Sequence, residues 1–312
     1  MRPLYPRARG DDESLLAMNA LAHITTQQLG QQLLIGLING AFYALLSLGL
    51  AVIFGMLSIV NFAHGAFFMV GAFCALFMLK VLGLGYWWAL VFAPLAVGLL
   101  GAVTERLFIR HIAGLDVLYG LLLTFGLALV MQGVFQSQFG SSAMSYPVPP
   151  ALQGPLNLGF MILPIYRVWV VAFSAVVCLL VWLAIERTKI GALLRAATEN
   201  PSLVRAFGVD VPSMITLTYA FGVALAALAG VLAAPILGVQ PQMGANIIAV
   251  VFAVVVVGGM GSILGSVITG FTLGLLEGLT KVFYPEASNI VVFVIMAVVL
   301  LVRPAGLFGR AA

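Results

Sequence analysis

Charge is what this sequence has least of. Its 312 residues include 14 Lys or Arg and 10 Asp or Glu, 8% in all, against 63% hydrophobic residues, and the mean hydropathy is +1.17. Soluble domains carry about 25% charged residues, and a soluble chain of this length could not cover its surface with so few. The deficit excludes a soluble enzyme, a nucleic-acid binder and a disordered protein, and leaves a polytopic membrane protein. The formal net charge of +4 comes from a few loop arginines and needs no nucleic-acid partner.

Site chemistry is equally sparse. The two cysteines, Cys74 and Cys178, both lie in apolar runs with no CxxC, so neither a disulfide nor a zinc site is expected, and both read as small buried hydrophobes. There is no GxxxxGK[ST], HExxH or GxSxG. None of Lys80, Lys189 and Lys281 follows a glycine, so no Walker loop cradles a nucleotide, no cofactor is expected in this chain, and any ATP use must come from a partner. His23 lies near the N-terminus, His111 in a basic loop and His64 inside an apolar run. Glu277 is the one acid well inside a candidate span. Ion-coupled carriers usually hold buried ionisable groups on their pathway, and an intramembrane enzyme needs a nucleophile with a base or a carboxylate pair. Both classes are disfavoured.

What is present is a series of long apolar runs. A crossing takes about 20 residues, and the runs between charges and prolines give nine candidate spans: 33–55, 58–79, 85–104, 117–136, 166–185, 213–235, 247–262, 263–283 and 288–302. The pieces flanking Asn61 and residues 258–265 read as full crossings or as half-helices. The fold class is therefore an all-α polytopic membrane protein with eight to ten transmembrane or half-membrane helices. Residues 1–30 start basic (Arg2, Arg7, Arg9), turn acidic (Asp11, Asp12, Glu13) and lack the apolar core of a signal peptide, so they read as a flexible leader before a single transmembrane domain, 31–312. Orientation follows lysine and arginine in short loops. Arg106, Arg110, Arg187, Lys189, Arg195, Arg205, Arg303 and Arg310 mark one side, against Lys80, Arg167 and Lys281 on the other. The first set should face the cytoplasm and the uncharged loop 137–164 the outside. Nine spans counted back from a cytoplasmic tail put the N-terminus outside, against its arginines. Either one span is re-entrant or the leader is an exception.

Glycines recur at four-residue spacing: Gly36 and Gly40, Gly261 and Gly265, then Gly270, Gly274 and Gly278. Such rows let helices approach closely in lipid, where packing drives association. Three polar features interrupt the apolar pattern. In the hydrophilic loop, Asn200-Pro201 supplies a cap and a first-turn proline and Gly208 a stop, framing a short helix with Leu203 and Phe207 at i, i+4; residues 190–199 are also helix-compatible. A capped amphipathic helix can lie on the membrane or dock into another protein. Asn61 and His64 sit in mid-run, where unpaired they would each cost several kcal/mol, so they must face protein or a water-filled path. Residues 258–262, Gly-Gly-Met-Gly-Ser, break a long uncharged stretch, tolerated only where the backbone lines a cavity or is covered by protein.

Residues 36–72, 188–210, 254–270 and 303–310 together resemble LivH-type permease subunits of bacterial ABC importers for branched-chain amino acids. The most specific parts are Asn-Phe-Ala-His-Gly at 61–65 and the loop pattern Gly191, Arg195, Ala196, Asn200, Ala206, Gly208. The departures are the leader and Ala66, where many members carry an acidic residue. The resemblance implies that 186–212 is a cytoplasmic coupling loop whose residues Gly191, Arg195, Asn200, Pro201, Leu203, Arg205, Phe207 and Gly208 meet an ATPase subunit, with Leu203 and Phe207 as apolar anchors and Arg195 and Arg205 as rim charges. It further implies two ATPase subunits that bind the ATP, a second related permease in a heterodimer, an extracytoplasmic binding protein, and a bacterial inner membrane with its lipid. Asn61, His64 and Ser262 are the candidates for the translocation path. A self-sufficient carrier, and a permease of the same type for urea, short amides or other amino acids, are the alternatives.

Overall fold

The computed structural model describes residues 26–57, 59–112, 114–157, 159 and 162–309. In chain order its helices are α1 (Thr26–Leu57), α2 (Ala63–Val81), α3 (Tyr86–Ile112), α4 (Val117–Phe139), α5 (Ile165–Arg187), α6 (Lys189–Glu199), α7 (Pro201–Ala206), α8 (Val211–Leu237), α9 (Met243–Gly258), α10 (Ile263–Phe283) and α11 (Val291–Val302). Helices α1 to α5, α8 and α10 are long and apolar enough to cross a membrane, while α9 and α11 are shorter apolar helices. A two-stranded antiparallel hairpin, Pro155–Asn157 with Ile162–Pro164, precedes α5. All nine expected runs are helical at their centres. The differences lie at the ends: α2 starts only at Ala63, and α1 starts at Thr26, so residues 26–30 are helical and not leader. The rest of the leader, 1–25, together with Ser58 and Arg310, lies outside the described residues.

Glycine sets the packing. Helices α1 and α10 run antiparallel with Gly36, Gly40 and Ala44 against Gly278, Gly274 and Gly270, so close that a Cβ added to Gly274 would lie 2.3 Å from Gly40 Cα. Gly49 of α1 abuts Gly222 of α8, and a Cβ on Gly230 of α8 would meet the Phe68 carbonyl oxygen at 2.0 Å. Between helices in lipid there is no hydrophobic drive, and these backbone approaches supply the van der Waals contact that replaces it. The same seam carries a polar tie: Tyr43 donates to the Glu277 carboxylate at 2.7 Å and Asn39 at 3.2 Å, which satisfies that buried acid. The buried core joins α1, α2, α8 and α9, whereas α4 is largely uncovered and has open space beside Gly126 and Gly133.

The bundle's two ends differ in charge. One end gathers the C-terminus of α1, the end of α3, α6, α7, the start of α8 and the tail after α11, and it carries Arg106, Arg110, Arg187, Lys189, Arg195, Arg205 and Arg303. Lys80, Arg167 and Lys281 stand at the other, where α2 hands over to α3, α5 begins and α10 ends. At the basic end α3 closes in a π-helical turn, Glu105–Ile109. There the buried Glu105 carboxylate accepts from Arg110 at 3.3 Å and from Thr216 of α8 at 2.7 Å, and Arg110 also donates to the Pro212 carbonyl.

Candidate functional site

The basic end presents the loop helix. Asn200 caps α7: its side-chain oxygen accepts from Leu203 N at 3.0 Å and from Ser202 Oγ at 2.7 Å, Pro201 fills the first turn, and Gly208 leaves the helix at φ +82°. The sequence encodes this locally through a capping side chain, a proline whose missing N–H is no loss, and a glycine free to turn left-handed. Val204 is buried at 6% exposure with Ala197 of α6 and Val211 of α8, against Met56 of α1 and Met214. Leu203 and Phe207 face outward, 53% and 79% exposed. Helix α7 is thus fixed by its inner side to the feet of α1 and α8 while offering two large apolar side chains outward.

The other loop residues divide by role. Gly191 makes the corner between α5 and α6, because a Cβ there would lie 1.6 Å from the Ile185 carbonyl oxygen. Arg195 does not stand free on the rim: it donates to that carbonyl at 3.2 Å and to the Glu186 carboxylate at 3.1 Å, and so ties α6 back to α5. Arg205 is exposed. Asp210 caps α8, and hydrogen bonds from the Ser213 hydroxyl and backbone N–H hold its carboxyl below the usual aspartate range, aided by Arg110 and Arg205.

The break before α2 is held by hydrogen bonds. Asn61, 1% exposed, donates from Nδ2 to the Tyr219 hydroxyl at 3.0 Å, and its Oδ1 has no hydrogen-bond partner among the described residues. His64 is fully buried; its Nε2 sits 3.0 Å from the Leu46 carbonyl oxygen, and its ring packs where a Cβ on Gly49 would go. The next residue after Asn61 is tied elsewhere: Phe62 N donates to Thr124 Oγ1 of α4 at 3.2 Å, and Thr124 in turn donates to the Val60 carbonyl at 3.1 Å. Asn61 and His64 therefore join helices, and neither is among the residues that wall the cavity between α2, α4 and α9.

The lining belongs to their neighbours. A cavity of about 150 Å³ opens between α2, α4 and α9, walled by Phe62, Ala66, Met69, Phe125, Leu129, Ile248 and the backbone of Gly244, with Gln132 as its one polar side chain. The starts of α2 and α9 meet beside it, Gly65 against Gly244 backbone to backbone. Phe62 stacks on Phe252 at 5.9 Å and meets Phe125 edge-on at 6.2 Å. An apolar hollow of this size with a single amide suits a short aliphatic group carrying one hydrogen-bonding end. Sequence reading missed Gln132, Phe62 and Tyr219. Gln132 carried a usable signal, the first amide along an otherwise apolar span and the one farthest from its end.

Ser262 is placed apart from both. It caps α10, accepting from Gly265 N at 3.2 Å, and no hydrogen bond among the described residues joins it to Asn61 or His64. The glycine break before it is covered by protein: Leu307 N and Phe308 N donate to the Val257 and Gly258 carbonyls at 2.8 and 3.2 Å, and Gly306 lies directly on Gly259. The terminal Arg-Pro-Ala-Gly-Leu-Phe-Gly segment is thereby a plug for the open backbone of that break.

The comparisons agree with this architecture along the chain. The family described as "Branched-chain amino acid transport system / permease component" matches residues 32–300. The high-affinity branched-chain amino acid transport system permease protein LivH of Escherichia coli K12 is 30% identical over 301 residues, 90% of this chain and 95% of that protein. BraD of Pseudomonas aeruginosa, a permease protein of the same description, is 30% identical over 293 residues with the same shares, 90% and 95%. A probable branched-chain amino acid transport permease protein LivM of Methanocaldococcus jannaschii is 44% identical over 71 residues, 22% of this chain and 21% of that one. A many-helix membrane chain with a capped, outward-facing loop helix at its basic end, matched over this length, belongs to the family of permease components of branched-chain amino acid transport systems.

Proposed function

We propose that this chain is the membrane-spanning, non-catalytic subunit of an ATP-driven importer that moves branched-chain amino acids across a bacterial inner membrane. The observation that carries the reading is α7: its inner residue Val204 is locked to the feet of α1 and α8, and its outer residues Leu203 and Phe207 are exposed. Such a helix transmits a push and does not bend under it. The basic end faces the cytoplasm by the excess of arginine in its short loops, where separate ATPase subunits bind the ATP and close against Leu203, Phe207 and Arg205. This chain needs no cofactor of its own. A binding protein delivers the amino acid at the far end, and a second permease related to this one, as LivM is, completes the path. The apolar cavity beside Phe62 takes the branched side chain in transit, and Gln132 meets the polar end.

The test is Phe207→Asp in the assembled transporter. A buried phenylalanine contributes about 1.5–3 kcal/mol, so ATPase retention on purification should fall by about ten- to a hundredfold and leucine uptake with it, while this chain stays folded in the membrane. Full retention with normal uptake would remove α7 as the docking element.

A further inference from the structure

Two successive residues in the link before α2 are bound to two different helices. Asn61 is tied by its side chain to Tyr219 of α8, and Phe62 is tied by its backbone to Thr124 of α4. Tyr219 is the last member of a ladder that climbs α8 from the loop helix. Asp210 caps that helix immediately after α7, Thr216 binds Glu105, and Tyr219 lies one turn beyond. Helix α4, in contrast, is largely uncovered. Thr124 also donates to the Val60 carbonyl, so Asn61 is held to α8 between two residues held to α4, and a displacement of α8 relative to α4 pulls on the link at Asn61, next to Phe62.

Phe62 is the residue that would respond. Its ring forms part of the cavity wall, stacked on Phe252 of α9 and edge-on to Phe125 of α4. The unpartnered Oδ1 of Asn61, buried at 1% exposure, is a spare acceptor available to a second arrangement of the link. We infer that Tyr219 and Thr124 are positioning residues for transport: by holding Asn61 and Phe62 to α8 and α4, they convert movement of the loop helix into movement of the Phe62 ring at the cavity. This inference rests on the proposed docking of α7 and deepens it, since it names where the delivered motion acts. Both clamps are side-chain hydroxyls, so each can be removed with little change in shape. The Tyr219 ring stays packed edge-on to Phe67 without its oxygen, and Thr124→Val keeps the branched volume.

The experiment uses the complete transporter in lipid vesicles, with its ATPase subunits, second permease and binding protein, and reads leucine taken up per ATP hydrolysed. One hydrogen bond between neutral groups corresponds to about a five- to tenfold change in an equilibrium. Tyr219→Phe and Thr124→Val should each lower the uptake-to-hydrolysis ratio by about that factor, with ATPase subunits retained and hydrolysis continuing. Adding Asn61→Ala to Tyr219→Phe should lower the ratio no further, because the two changes break the same bond. A wild-type ratio in either single variant overturns the inference, as does loss of the ATPase subunits from both, which would make the hydroxyls props for assembly. Failure of the docking reading shows separately, as unchanged ATPase retention in Phe207→Asp.

Discussion

Replacing Gly274 by alanine should separate the two helices that hold the bundle's seam. The added Cβ would lie 2.3 Å from Gly40 Cα, 2.4 Å from Gly40 N and 2.5 Å from the Gly36 carbonyl oxygen. Carbon atoms rest at about 3.5–4.0 Å, so α1 and α10 must part by about 1 Å. Every close neighbour is backbone, and no flexible side chain can yield. Parting also thins the flanking contacts, Gly270 on Ala44 and Gly278 on Gly36, and stretches the ties from Asn39 and Tyr43 to Glu277. Overpacking costs about 1–3 kcal/mol, and with only backbone atoms in the way the upper part of that range, about 2–3 kcal/mol, applies; the helix preference of alanine over glycine returns about 1 kcal/mol. The net is a destabilisation of about 1–2 kcal/mol, a shift of about five- to thirtyfold in the unfolding equilibrium. The control is Gly133→Ala on α4, where nothing lies within 4 Å of the new Cβ; it should be neutral or slightly stabilising. Reversible unfolding of the purified chain in mixed micelles, titrated with a denaturing detergent, gives both values. Equal midpoints for Gly274→Ala and wild type, or an equal loss in Gly133→Ala, would refute the argument that backbone contact sets this seam.

Val204→Asp should behave unlike Phe207→Asp, because it buries a charge among Ala197, Val211 and Met56; the chain's level in the membrane should fall, read by quantitative blotting, where Phe207→Asp leaves it unchanged. Ala66→Leu fills part of the 150 Å³ cavity and should cut leucine uptake by about tenfold or more with ATPase subunits still bound; unchanged uptake would take the cavity off the path. Asp210 has a carboxyl held below its usual range, so its stabilisation of the start of α8 is present above the ordinary aspartate range and is lost as pH falls through the depressed value. Asp210→Asn keeps an oxygen acceptor and should flatten the acid side of the stability profile, measured as unfolding midpoint against pH.

The spans were legible because hydrocarbon imposes one rule: about 20 residues with little charge. Seven of the nine runs reach that length and two, 247–262 and 288–302, fall short; an apolar helix stands at each, and the two short runs are the shorter helices α9 and α11. The loop helix was legible for a different reason, since Asn200, Pro201 and Gly208 act within their own turn and need no distant partner. What sequence could not supply was pairing across the chain. Asn61 finds Tyr219, Glu277 finds Asn39 and Tyr43, and the terminal segment finds Gly258 and Gly259; each match depends on how the bundle closes. The sequence marks Asn61 and His64 as residues that must be satisfied, but not whether by a path or by neighbouring helices; Phe62 and Ala66, one and two residues away, are among the side chains at the cavity. Ser262 was readable as a helix cap from its place before an apolar run. Arg195 was not, because its partners at the end of α5 are set by the tight corner at Gly191.

The central claim is that energy enters through α7 and not through ions crossing the membrane. Leucine uptake by vesicles holding the complete transporter, with ATP supplied on the cytoplasmic side or with a proton or sodium gradient alone, tests it most directly. The account predicts uptake with ATP only, lost in Phe207→Asp. Gradient-driven uptake by this chain without an ATPase would contradict it.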